Sequence, residues 1–173
     1  MIILLPPFTS AGVLPPTADG SPHTCSRDEV EQHFVTAFPD AAWRRSLFDG
    51  WDLLRSSIAQ LVPDARWWLW GSLITAVPEP LFGQRAVVRA VVLTELSRLP
   101  RDRAALNLLV GSVFSAEDLH RVDASLWISY PPGDSRRPAA EHDLRTWRHQ
   151  AGQAIVDLES REMIPAGFIE VQP

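Results

Sequence analysis

"RWWLWGSLITAVPEPLFGQRAVVRAVVL", residues 66–93, decides the fold. In "RWWLW" the residues after Arg66 form a short continuous apolar run, which predicts a strand covered on both faces. Gly71-Ser72 ends that run, and Pro78 and Pro80 mark the loop that follows. "AVVRAVVL", residues 86–93, is β-branched and interrupted only by Arg89, so it predicts a second central strand. Trp67, Trp68 and Trp70 cannot all point one way from a single strand. Helices on both sides, or a partner, must cover them.

Upstream, Trp43, Leu47, Trp51, Leu54, Ile58 and Leu61 recur at alternating spacings of four and three and predict an amphipathic helix. Asp40 is its candidate N-cap and Pro63 closes it, while Gly50 weakens it slightly. Arg44 and Arg45 are expected off the stripe, facing solvent. Before it, "SRDEVEQHF" opens with a capping box of Ser26 and Glu29, predicting a helix over 27–37. Residues 1–25 carry Pro6, Pro7, Pro15, Pro16 and Pro22, which excludes regular helix and predicts an extended arm. That arm is expected to precede a single domain, residues 26–173.

Downstream, residues 101–119 read as helix broken at Gly111-Ser112, with Ser115 able to cap a second piece. "VDASLWISY", 122–130, alternates: Val122, Ala124, Leu126 and Ile128 form the greasier face, and Asp123, Ser125, Trp127 and Ser129 the more polar one. A loop at 131–140, a helix over about 141–159 with Leu144, Trp147, Ala151, Ile155 and Leu158 on one stripe, and a final strand in "AGFIEV" complete the chain. Helices and strands are interspersed without repeats. The expected class is α/β (α+β), a small mixed sheet flanked by helices.

Composition narrows the functions. The net charge is −5 and every basic residue is arginine, since the chain contains no lysine. Broad DNA or RNA surfaces are disfavoured by that balance, and a P-loop or Schiff base by the missing lysine. One cysteine, Cys25, permits no internal disulfide and fits a reducing cytosol. The start "MIILLPPFTS" lacks a basic n-region and no apolar stretch approaches the ~20 residues of a membrane span. A cytoplasmic protein with no membrane contact is expected.

Helix, strand, Gly-Ser, loop, strand resembles the opening unit of the nucleotidyltransferase fold. With "LWGSLITAVPEP", the "VLPP" of residues 13–16, the acidic helix "DEVEQHF" and the tail "IPAGFIEV", the chain resembles a bacterial family of minimal nucleotidyltransferase-like proteins. The resemblance implies that Gly71 and Ser72 approach a nucleotide. It also implies two metal-binding acids one residue apart on the next strand, with a third from a later strand, so that divalent ions neutralise charge in phosphoryl transfer. Phe82 and Gln84 stand at the first two positions, and neither is a carboxylate. Asp123 matches the third.

Glu79 and Glu95 are the only other carboxylates between Ser72 and residue 100, and no acid-x-acid pair exists there in any register. The expectation is a catalytically degenerate binding or regulatory protein with no cofactor. Its partner would be a protein, with a nucleotide or RNA end also possible at Gly71 and Ser72. Stand-alone domains of this superfamily often sit in bacterial toxin–antitoxin or defence loci, and the resemblance implies the same setting as an expectation for this chain. Two alternatives stay open: an active nucleotidyltransferase holding Mg²⁺ through a non-standard set such as Glu79, Glu95 and Asp123, and a structural protein unrelated to nucleotides. For Asp123, a strand-edge acid paired with an arginine is the simpler account.

Other chemistry is weakly signalled. The five histidines form no metal-ligand motif, and His142 and His149 share a helix face that solvent explains. Cys25, beside a capping serine, sits where a helix N-terminus lowers a thiol pKa, although an inert cysteine is the plainer reading.

Overall fold

The computed structural model describes residues 5–38, 42–76, 86–157 and 162–173. The fold is mixed α/β, built on a five-stranded mixed sheet in the order β1-β7-β2-β3-β4. Strands β2 (Arg66–Gly71) and β3 (Val88–Glu95) pair antiparallel, and β3 pairs in parallel with β4 (Val122–Ser129). On the other side β7 (Ile169–Val171) runs antiparallel to β2, and β1 (His23–Cys25) lies parallel to β7 at the edge.

Both faces of β2 are covered, which is why its apolar run is continuous. Trp67 and Leu69 point into the larger core with Val88, Ala90 and Val92 of β3. Trp68 and Trp70 point the other way, against Val91, Leu93 and Phe168. Helix α2 (Ala42–Ala59) seals the first face with Leu47, Trp51, Leu54 and Ile58 all fully buried. Each such side chain contributes roughly 1.5–3 kcal/mol by leaving water. Helix α5 (Arg137–Ala151) seals the second through Leu144, Trp147 and Ala151.

Helix α1 (Arg27–Glu31) carries the capping box: Ser26 accepts from the Glu29 amide and the Glu29 carboxylate accepts from the Ser26 amide. It continues as a π-helical turn, Gln32–Thr36. The preceding segment lies across the domain: Leu5 and Leu14 join the larger core, Val13 is buried, and Val13 forms a bridge with Thr75. Cys25 is buried too, and desolvation together with the nearby Glu29 carboxylate pushes its thiol pKa up to about 12. A thiol so raised is not an activated nucleophile.

Several expected boundaries move. The helix of residues 101–119 does not break at Gly111-Ser112; α3 (Arg103–Phe114) runs through them, and the chain turns at Ser115 into α4 (Ala116–His120). Ser115 does not cap α4: its hydroxyl donates back to the Gly111 carbonyl, and that local bond competes with the next turn. Helix α5 begins at Arg137, not near 141, because Pro138 is accepted in a first turn where its missing N–H costs nothing. It stops at Ala151, and Ile155 lies in strand β5 (Gln153–Asp157), paired with β6 (Glu162–Pro165) as a separate two-stranded sheet. Gly152 ends the helical pattern that the apolar spacing alone would extend. Asp40 and Leu158 lie outside the described residues.

Arg44 is the largest correction. It is 1% exposed, not solvent-facing. Helical geometry explains this: 44, 47, 51, 54 and 58 also alternate spacings of three and four, so Arg44 stands on the buried stripe and Trp43 at its margin. Arg45 stays nearer the surface, where it pairs with Glu31.

Candidate nucleotide-facing turn

Gly71 closes β2 with φ 89 and ψ −154, a backbone conformation essentially reserved for glycine. A Cβ there would stand 3.1 Å from the Val87 carbonyl oxygen. The chain then winds into a short 3₁₀ turn, Ser72–Ile74. The Ser72 amide donates to the Val87 carbonyl, so the hydroxyl, not that amide, is the group Ser72 has to offer a ligand.

Arg44 holds this turn from inside. Its guanidinium donates to the carbonyls of Phe34, Leu73 and Thr75 and lies against the rings of Phe38 and Trp43 at 4.2 and 4.6 Å from their centroids. Thr75 Oγ1 donates to the Ser72 carbonyl and closes the loop on itself. Burial lowers the Arg44 pKa to about 10, which still leaves it charged at neutral pH. The guanidinium thus ties α2 and the α1 turn to the backbone beyond Gly71. Arg44 is the residue that the sequence reading missed, and its signal was its place on the stripe.

Across the sheet from the turn, Trp70, Arg89 and Asp123 occupy one row, each the register partner of the next. They share the α5 face. Arg89 Nε and Asp123 Oδ2 are 3.7 Å apart, with both side chains more than half exposed. Trp70 is buried, and its Nε1 donor has no hydrogen-bond partner among the described residues. The row therefore combines an unmatched donor and an arginine with one carboxylate.

Phe82 and Gln84, like Glu79, lie outside the described residues. Glu95 does not join Asp123. It is the register partner of Ser129 at the far ends of β3 and β4, about 20 Å along the strands at roughly 3.3 Å per residue. The proposed set of Glu79, Glu95 and Asp123 is thus broken by strand geometry. Among the described residues no three His, Cys, Asp or Glu side chains are grouped so as to hold a metal ion. The cross-strand neighbour of Asp123 is the Arg89 cation, and a Mg²⁺ site does not fit that pair.

At the opposite end of the sheet, Glu95 lines an open cavity of about 640 Å³ with Trp127, Tyr130, Arg137 and Glu141. A second cavity of about 410 Å³ lies between the N-terminal segment, the end of α5 and β6, lined by Thr17, Ser21, Arg145, Arg148 and Phe168. Neither includes Gly71, Ser72 or Asp123. His142 and His149 are both exposed on α5.

A family model described as a family of unknown function, DUF6932, matches residues 6–172. The chain belongs to the DUF6932 family. The match takes in the N-terminal segment with its buried Leu14, the Gly71-Ser72 turn and the closing strand β7, so this DUF6932 protein carries the turn, the Arg44 clamp and the Trp70–Arg89–Asp123 row within the matched span. No curated protein and no solved structure matches the chain. No helix of the DUF6932 protein, among the described residues, is long and apolar enough to cross a membrane.

Proposed function

We propose that this DUF6932 protein is a catalytically degenerate nucleotidyltransferase-like module that works by binding, taking the phosphates of a nucleotide or RNA end at the Gly71–Ser72 turn. The observation that carries the reading is the Arg89–Asp123 pair. In a transferase site a divalent cation stands between carboxylates and phosphate. Here the guanidinium of Arg89 supplies the positive charge beside Asp123. A bidentate fork suits a phosphate and holds it, but does not activate a leaving group as a bridging metal does.

Three further features support binding. Gly71 removes the side chain that would stand between a ligand and the β2–β3 backbone. The Ser72 hydroxyl supplies a neutral hydrogen bond to an anion. The strand pairing, β2 antiparallel to β3 and β3 parallel to β4, places the turn and Asp123 at one end of the sheet. A protein partner and a regulatory role in a toxin–antitoxin or defence system rest on the resemblance alone.

Calorimetric titration with ATP, GTP, CTP and UTP, each with and without Mg²⁺, tests the reading. Binding that needs no Mg²⁺ and is lost in Arg89→Ala is the expected result. Binding that requires Mg²⁺ and is lost in Asp123→Ala would favour an active nucleotidyltransferase. No heat with any nucleotide or with a short RNA would remove the site.

A further inference from the structure

Helix α3 has an exposed face that solvent does not explain. Leu109 and Val113 turn into the core, but Leu108 is 60% exposed and Phe114 85%, with Val110 also open. From Ala104 to Ala116 no side chain carries a charge. An exposed helix face of a monomeric protein normally carries polar and charged residues; here Asn107 is the one exposed polar side chain from Ala104 to Phe114, and so largely apolar a face marks an interaction surface. Leu119 on α4 and Leu53 on α2, both more than half exposed, add apolar surface on the helices packed beside it.

The two ends of α3 are flanked by charges of opposite sign. Arg101 and Arg103 stand exposed at the start of α3, where Asp102 is occupied as the N-cap accepting from the Ala105 amide. Glu117 and Asp118 stand exposed just past its end, in the first turn of α4. None of these four side chains makes an ion pair among the described residues. Near the middle Gly111 is exposed, and a Cβ built on it would meet nothing within 4 Å. Leu108 lies one helical turn before it.

We propose that this face is a self-association surface, on which α3 packs antiparallel against α3 of a second copy about a two-fold axis between Leu108 and Gly111. In that arrangement Leu108 of each copy seats over the notch at Gly111 of the other. The Arg101/Arg103 end of each copy meets the Glu117/Asp118 end of the other, so the charge contact is made twice. Parallel pairing would set like charges together. A second copy is the occupant because the pattern is self-complementary, as an isologous two-fold interface requires. The nucleotide reading plays no part in it.

Sedimentation velocity of the full chain over a concentration series tests the surface. The wild type is expected to dimerise, and Leu108→Glu to raise the dissociation constant by about tenfold or more. Gly111→Leu fills the notch while raising helix propensity, so it is expected to dissociate the dimer without unfolding the chain. Arg101→Glu with Arg103→Glu, and separately Glu117→Arg with Asp118→Arg, should each be monomeric, and mixing the two proteins should restore a mixed dimer. Circular dichroism confirms that each variant is folded. A wild type that stays monomeric throughout, a dimer indifferent to Leu108→Glu and Gly111→Leu, or charge variants that do not recombine would overturn the proposal.

Discussion

Arg89 and Asp123 are register partners across the parallel β3–β4 pair, and their side chains close to 3.7 Å. Both are largely solvated, so Arg89→Ala is expected to change unfolding free energy by less than about 1 kcal/mol. Arg89→Asp is the informative change. It sets two carboxylates side by side, where each disfavours the other's charge. The variant should be less stable than Arg89→Ala in a metal-free buffer and should regain melting temperature as MgCl₂ or MnCl₂ is added, while the wild type does not respond. A wild type that is stabilised by either ion as strongly as the variant would contradict the role given to Arg89.

Arg44 supports backbone carbonyls on two segments, so its loss leaves buried acceptors without a donor. Arg44→Met keeps much of the volume and removes the guanidinium. The expected cost is on the order of 3 kcal/mol, since hydrogen bonds from a charged group contribute about 1.5–3 kcal/mol each and orphaned carbonyls add to the loss. Urea unfolding followed by tryptophan fluorescence measures it. A cost under about 1 kcal/mol would show that the turn beyond Gly71 holds its shape without Arg44.

Gly50 lies within α2, where helix propensity favours alanine by roughly 1 kcal/mol. The neighbouring helix reverses that preference. A Cβ on Gly50 would stand 2.2 Å from the carbonyl oxygen of His120, which is backbone and cannot swing aside. Gly50→Ala is expected to destabilise by about 1–3 kcal/mol, as overpacking does, because α2 and α4 must separate. Thermal unfolding decides the sign; a stabilised variant would mean that the helices part without loss.

His33 sits among Phe8 and Phe34, with ring centroids at 5.2 and 4.9 Å, and its Nε2 has no hydrogen-bond partner among the described residues. Burial lowers its pKa below the ordinary 6.5. The unfolded chain then takes up a proton before the folded one does, so stability falls as pH drops below about 6.5. The carboxylates of Glu31 and Asp52, held low by hydrogen bonds from Arg45, Arg27 and Arg55, lose their contribution only further down, as pH falls through the ordinary carboxylate range and below it. Unfolding free energies measured from pH 7 to 5.5 should decline in the wild type and flatten in His33→Phe. Equal slopes in the two proteins would exclude His33 as the source.

What the chain's own pattern determined is what depends on neighbours along the backbone. The apolar run of β2 and the nearly apolar run of β3, interrupted by Arg89, called for cover on both faces, the capping box set the start of α1, and the alternation in β4 separated its faces. Each of these is a local periodicity or a local hydrogen bond, and each survives any arrangement of the rest.

Tertiary structure decided the remainder. Nothing in the order of residues places Arg89 beside Asp123; that needs the parallel register across α3 and α4, and the same register carries Glu95 away from Asp123. Arg44 on a buried stripe conflicts with the rule that charge faces water, and the conflict is resolved only because the turn after Gly71 brings carbonyls to it. Distant chain segments supply each of these partners, and their free energy of contact outweighs the local preference.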